Sequence, residues 1–117
     1  MKDLARSKAL GSRRRTQVLL LLALLGDSYV AELARLLGVR PFTITGIVDG
    51  LEHEGLIGSR LMGRQRLFRL EPRYFAAREL KALLLKLAEG EPELMDQLAS
   101  LRRRPRRRGK PLREGDL

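Results

Sequence analysis

Cysteine and tryptophan are absent from this chain of 117 residues, and only 4% of its residues are aromatic. Without cysteine, the chain forms no disulfide bond, holds no metal through thiolates and has no cysteine nucleophile. Because 44% of the residues are nevertheless hydrophobic, leucine must supply most of the core, as is typical of helical proteins. The length predicts one domain with a modest core.

The chain also lacks the residue sets that support common enzymatic and metal chemistry. No glycine-rich phosphate loop occurs, and no serine lies in a pattern with histidine and aspartate. His53 is the only histidine, and its neighbours Glu52 and Glu54 point in other directions on a helix. We therefore expect no enzyme activity, no metal site and no cofactor.

A hydrophobic run long enough to cross a membrane is missing as well. Residues 18–25 are apolar, but a bilayer requires about 20 such residues. The basic N-terminus before this run resembles a signal peptide only superficially, because the run leads directly into the helical pattern described next. The sequence therefore predicts neither export nor membrane contact.

Acidic residues are scarce at both ends of the chain. Residues 1–15 hold six basic residues (Lys or Arg) and one acidic residue, and residues 102–117 hold eight basic and two acidic residues. Residues 16–101 hold ten basic and eleven acidic residues. The net charge of +10 therefore lies in the ends, and residues 102–117 are typical of a disordered polyelectrolyte arm. Such an arm would add salt-sensitive affinity for phosphate, although a solubilising tail or an RNA-binding arm fits too. The candidate phosphate contacts are Arg13, Arg14, Arg102, Arg103, Arg104, Arg106, Arg107 and Arg108.

The middle of the chain predicts three helices followed by a hairpin. Ser12 can cap a first helix that ends before Gly26, and Asp27 with Ser28 can cap a second. Gly38 permits a left-handed turn before a helix that starts at Pro41. The predicted bounds are 12–25, 29–37 and 41–54 for the helices, 56–60 and 66–70 for the strands, and 74–89 and 92 onward for two more helices.

The helix of residues 41–54 has two distinct faces. Ile44, Ile47, Val48 and Leu51 recur at helical spacing and must face the core. The opposite face is formed by Phe42, Thr45, Gly46 and Asp49. Asp49 would repel phosphate, so we expect it to contact Arg64 or Arg66 unless it is simply solvated.

This order of elements is what a protein needs to hold one helix in a DNA major groove with a basic wing beside it. Residues 9–70 resemble the winged-helix repressors of the ArsR family in element order and in their short wing. Residues 43–52 are also similar to the MarR family. The resemblance implies a mainly α (α+β) winged helix-turn-helix with flanking N- and C-terminal dimerisation helices, in a dimeric, cytoplasmic and nucleoid-associated repressor that binds double-stranded DNA.

The predicted domain organisation has four parts. Residues 1–11 form a basic segment with a short helix, 12–73 the DNA-binding domain, 74–101 the dimerisation helices and 102–117 the basic tail. The candidate DNA-binding residues are Arg40, Phe42, Thr43, Thr45, Gly46, Arg60, Arg64, Gln65 and Arg66. Because the outer helix face has few hydrogen-bonding groups, we expect direct base reading to be thin, with more left to the wing and to DNA shape.

The leucine-rich C-terminal segment allows two interpretations. It packs either on residues 18–25 of its own chain or on a second copy, and both can hold at once. The candidate dimer contacts are Leu4, Leu80, Leu83, Leu84 and Leu87. Two other functions stay open: an adaptor whose C-terminal helices bind a protein partner, such as a nucleotidyltransferase, and a non-specific architectural protein driven by its arginine-rich ends.

Overall fold

A computed structural model of the chain describes residues 10–103, which form five helices and one two-stranded sheet. The elements are α1 (Arg13–Leu25), α2 (Val30–Leu37), α3 (Pro41–His53), β1 (Ile57–Met62), β2 (Gln65–Leu70), α4 (Ala77–Ala88) and α5 (Pro92–Arg103). The order of three helices, hairpin and C-terminal helices is that of a winged helix-turn-helix. The fold class that the sequence predicted is confirmed.

The first helix, α1, is the central element of the core. Ser12 is its N-cap residue, as predicted, and the Ser12 side chain accepts a hydrogen bond from the Arg15 backbone N–H at 3.1 Å. Residues 16–23 are buried around the whole circumference of the helix. Because α1 has no exposed face along this stretch, α2, α3, β2 and α4 can all pack on it.

The helix-turn-helix is defined by the turn at Gly38. This glycine has φ 69° and ψ 34°, the left-handed conformation that the sequence predicted, and its N–H donates to the Arg35 carbonyl. Pro41 then begins α3 in the first turn, where its missing N–H costs nothing. The predicted cap of α2 is wrong: Tyr29 is the N-cap residue, and Ser28 instead pairs with Phe68 of the hairpin.

The wing is an antiparallel hairpin with Met62 opposite Gln65 and a two-residue turn at Gly63 and Arg64. Both strands are longer toward the turn than predicted, since the ladder continues to the turn itself. Reciprocal backbone hydrogen bonds between Ser28 and Phe68, at 3.0 and 2.7 Å, form an isolated antiparallel bridge beside β2. The wing is thereby attached to the segment between α1 and α2.

The C-terminal helices differ from the prediction in their bounds. The helix expected from residue 74 begins at Ala77, because residues after Pro72 form turns in which the Tyr74 N–H donates to the Glu71 carbonyl. Leu84, Leu87 and Ala88 of α4 are buried, and α4 packs against α1. The last helix begins at Pro92 as predicted and buries Leu94 and Leu98, but it continues to Arg103, past the predicted boundary at 101.

Candidate nucleic-acid interface

The outer face of α3 is exposed along most of its length. Its inner residues Ile44, Val48 and Leu51 are fully buried, which fixes the helix on the core. The opposite positions carry exposed side chains or none at all; they are Phe42, Thr43, Thr45, Gly46 and Asp49. The inner and outer faces predicted from helical spacing are therefore confirmed, except that Ile47 is only half-buried.

Most of this exposed face is poor in hydrogen-bond donors. The hydroxyl of Thr45 donates to the Pro41 carbonyl of its own helix at 3.1 Å, so its proton is already engaged. Phe42 is 85% exposed, and Gly46 has no side chain. Thr43 retains an exposed hydroxyl. This face thus offers few hydrogen-bond donors, and thin direct base reading stays a prediction.

Two of the candidate DNA-binding arginines, one at the start of α3 and one in the wing turn, have unengaged side chains. Arg40 precedes α3 at its N-cap position, and Arg64 lies in the wing turn. Both are exposed, and within residues 10–103 neither guanidinium forms an ion pair or a hydrogen bond. Gln65, next to Arg64, is exposed as well. These groups are available to an anionic partner.

The other candidate wing arginines are engaged with acids of the same chain. Arg66 donates to Glu52 at 3.2 Å and to the Ser59 hydroxyl at 3.0 Å, and Ser59 donates to Glu52 at 2.6 Å. The Cζ atom of Arg66 also lies 5.8 Å from the centre of the Phe68 ring. Arg60 pairs with Asp27 at 3.3 Å. These contacts attach the wing to the end of α3 and to the segment after α1.

The prediction that Asp49 contacts Arg64 or Arg66 is wrong. Neither Arg64 nor Arg66 contacts it, because the acid that meets Arg66 is Glu52, one turn further along α3. Asp49 is exposed and forms no ion pair with any residue in the range 10–103. Its carboxylate therefore remains a negative group on the outer face, in agreement with the alternative of a solvated side chain.

A second ion pair joins the end of α3 to the start of α1. Arg15 donates two hydrogen bonds to Glu54, at 2.8 and 3.0 Å, and a third to the Leu10 carbonyl. The hydrogen bonds from Arg15 hold the pKa of the Glu54 carboxyl below its ordinary value of 4.5. Sequence reasoning missed Glu52 and Glu54 as positioning residues. A signal was available, since acids at a helix C-terminus oppose the helix dipole and need cationic partners.

Exposed apolar residues also occur at the tip of the wing. Leu61 is 73% exposed, and Met62 beside it is half exposed. Neither residue was among the sequence candidates. Both lie on β1 directly before the turn that carries Arg64.

The structure divides the candidate dimer residues into two groups. Leu84 and Leu87 are 0% and 2% exposed because they pack into the core of their own chain, so they have no surface to offer a second copy. Leu83 is 43% exposed, and Leu80 is half-buried at the edge of the core. Leu4 lies outside the described residues.

The candidate phosphate contacts are only partly described. Arg13 is exposed, whereas Arg14 donates to the buried Gln17 side chain at 2.7 Å. Arg102 and Arg103 belong to the last turn of α5 rather than to a tail. The remaining four lie outside the described residues; they are Arg104, Arg106, Arg107 and Arg108.

Other features bear on ligands and membranes. A groove of about 740 Å³ lies among the end of α1, the end of β2 and the start of α4. Over residues 10–103, no group of three or more His, Cys, Asp or Glu side chains is arranged to hold a metal ion. No helix in that part of the chain is long and apolar enough to cross a membrane.

Residues 12–60, a little under half of the chain, match the profile of the MarR family. The match covers α1, α2, α3 and the start of the wing, so these elements resemble the winged helix of that family. A search of curated protein sequences gives no match. The similarity to the MarR family is supported in this way, while the similarity to the ArsR family stays a prediction.

Solved structures with the same fold include three bacterial regulators. A mutant of ZitR from Lactococcus lactis is 22% identical with a TM-score of 0.57, and the match covers 76% of this chain and 60% of ZitR. The adhesin competence repressor AdcR from Streptococcus pyogenes is 14% identical with a TM-score of 0.60, and the match covers 84% of this chain and 73% of AdcR. A MarR family transcriptional regulator from Silicibacter pomeroyi is 23% identical with a TM-score of 0.58, and the match covers 85% of this chain and 67% of that regulator. The chain thus spans about three fifths of the length of ZitR, and at these identities the shared property is the fold.

Proposed function

We propose that this chain, with its MarR-type winged helix, is a DNA-binding transcriptional regulator that acts as a dimeric repressor in the cytoplasm. The observation that carries the proposal is the outer face of α3, which the core holds outward and leaves free of intramolecular packing. A helix fixed on one face and open on the other is the element that enters a major groove.

The cations around α3 support the same function. Arg40 at the start of the helix and Arg64 in the wing turn are exposed and unengaged among the described residues. Phosphates on either side of a groove are the natural partners of two such guanidinium groups. In this proposal Arg60 and Arg66 chiefly position the wing, and Arg13 and the basic C-terminus add non-specific affinity.

Attachment of the wing to α3 makes the two elements one unit. Glu52 of α3 binds both Ser59 of β1 and Arg66 of β2. A wing held in a fixed position can contact the backbone at a set distance from the groove that α3 occupies. This geometry favours a regulator over a protein that binds through its charged ends alone.

Dimerisation is proposed through the C-terminal helices, with Leu83 and Leu80 as the contacts that remain accessible. Two copies related by a two-fold axis would bind two half-sites of a palindromic operator. Occlusion of such a site is the simplest route to repression.

A binding selection from a genomic duplex library at near-physiological salt, followed by footprinting, tests the proposal. Protection of two half-sites with two-fold symmetry is expected. Equal affinity for scrambled duplexes, lost on removal of residues 104–117, would instead identify an architectural protein. A monomer that binds no duplex and captures a protein through α4 and α5 would identify an adaptor.

A further inference from the structure

The exposed face of α3 has apolar groups at the positions where a helix in the major groove meets the bases. Phe42 is 85% exposed in a chain that has only three phenylalanines. Its ring has no part in the core, because the buried residues of α3 lie on the opposite face. The ring is therefore an exposed apolar group on the outer face of α3 that a partner lying along this helix can cover.

Thr45, one turn along the helix from Phe42, also presents an apolar group on this face. Its hydroxyl is turned to the backbone, where it donates to the Pro41 carbonyl at 3.1 Å. The methyl group is then the part of this exposed side chain that remains for an outside contact. Gly46 next to it adds no atoms that would keep a partner away.

The charges near these groups indicate which partner fits. Arg40 at the start of α3 and Arg64 in the wing turn carry unengaged positive charge against the single exposed carboxylate of Asp49 on this face, and this favours a polyanion over an uncharged protein surface. In duplex DNA, the apolar group that faces the major groove is the C5-methyl of a pyrimidine. Thymine carries this methyl, and so does 5-methylcytosine.

We infer that α3 reads C5-methyl groups of pyrimidines in the major groove, through the ring of Phe42 and the methyl of Thr45. The inference rests on the proposed function, because it requires α3 to lie in the groove. It adds the recognition chemistry: operator sequence is selected by apolar contact at these two residues more than by hydrogen bonds.

Uracil substitution tests the inference directly, since uracil lacks only the methyl group of thymine. Duplexes enriched from a random library are resynthesised with deoxyuridine in place of thymidine, inside the footprint or only outside it. A second set carries 5-methylcytosine in place of cytosine. Affinity of the full chain is expected to fall about fourfold for each contacted thymine methyl that is removed, and to be unchanged by substitution outside the footprint.

Variants assign the effect to the two side chains. Phe42→Ala and Thr45→Ser should each reduce the difference in affinity between thymine and uracil duplexes, and the double variant should abolish it, whereas Thr45→Val keeps the methyl and should preserve the difference. Phe75→Ala is the matched control, because it removes a ring that is 91% exposed but lies between β2 and α4. Its affinity and its sensitivity to uracil should equal those of the unmodified chain.

The outcomes distinguish failure of DNA binding from failure of methyl reading. If no duplex were enriched, the proposed function itself would be refuted. Enriched duplexes that tolerate uracil and gain nothing from 5-methylcytosine would overturn methyl reading while leaving a DNA-binding protein. A gain from 5-methylcytosine alone would identify that base as the source of the methyl. If the Phe42→Ala variant were as sensitive to uracil as the unmodified chain, residues other than Phe42 would read the methyl. If that variant lost self-association, Phe42 would belong to a contact between copies.

Discussion

Replacing Gly46 by alanine should stabilise the protein and weaken its binding to DNA. A glycine inside a helix costs about 1 kcal/mol relative to alanine. Gly46 lies within α3, and a Cβ atom built there has no neighbour within 4 Å, so the fold gives no reason for the absence of a side chain. The gain of about 1 kcal/mol should raise the melting temperature by roughly 4–8 °C.

The same methyl group should interfere with a helix that approaches base edges closely. Overpacking of a fitted contact costs about 1–3 kcal/mol, which is roughly five- to 150-fold in Kd. Fluorescence anisotropy on an enriched duplex measures this loss, and thermal unfolding of the same samples measures the gain in stability.

Gly50 provides the matched control within the same helix. A Cβ atom at this position would lie 3.9 Å from the Arg15 guanidinium, at ordinary van der Waals distance and next to α1. Gly50→Ala should therefore raise the melting temperature by a similar amount and leave Kd unchanged. If Gly46→Ala also left Kd unchanged while stabilising the fold, the outer face of α3 would not meet DNA, and the proposed interface would be wrong.

Four further predictions concern charge, pH, core packing and assembly. Arg64→Ala should weaken all duplexes alike and reduce the slope of log K against log salt by about one; an unchanged slope would refute the phosphate contact. Glu54→Gln should lower the melting temperature at pH 7. The lowered pKa of Glu54 means that its contribution is present above the ordinary value of 4.5 and is lost as pH falls through the lower folded value, so the difference from the unmodified chain should vanish in acid. Leu84→Ala should cost about 2–5 kcal/mol of stability, since the side chain is fully buried. Leu83→Ala should leave the fold intact and shift sedimentation toward monomer; a dimer of unchanged affinity would exclude Leu83 from the interface.

Local signals in the sequence predicted the helix-turn-helix well. The left-handed turn at Gly38, the start of α3 at Pro41 and the buried stripe of that helix each depend on residues a few positions apart. Such features follow from backbone geometry and helical spacing, which are fully present in the sequence. The bounds of the first three helices therefore agree with the structure to within one residue.

Contacts between distant segments were not predictable in the same way. Arg15 and Glu54 are 39 positions apart, and Arg66 and Glu52 are 14 apart. Charge patterning predicted that Asp49 would meet a wing arginine. It could not show which turn of α3 faces the wing, because that depends on how the hairpin crosses the helix. The predicted start of α4 was wrong because Pro72 is compatible both with a helix start and with the turns that the structure contains.

The ion pairs at the end of α3 change what the arginine content means for binding. Glu52 and Glu54 lie where the helix dipole disfavours acids, and each is compensated by an arginine from another element. Arg66 and Arg15 are thus engaged in fixing α3 against the wing and α1, and Arg60 is engaged with Asp27. Among the candidate DNA-binding arginines, Arg40 and Arg64 are the two whose side chains have no partner within the described residues. The number of phosphates that the winged helix neutralises should therefore be smaller than its arginine count, and its selectivity must come from where α3 is held and from what its outer face presents.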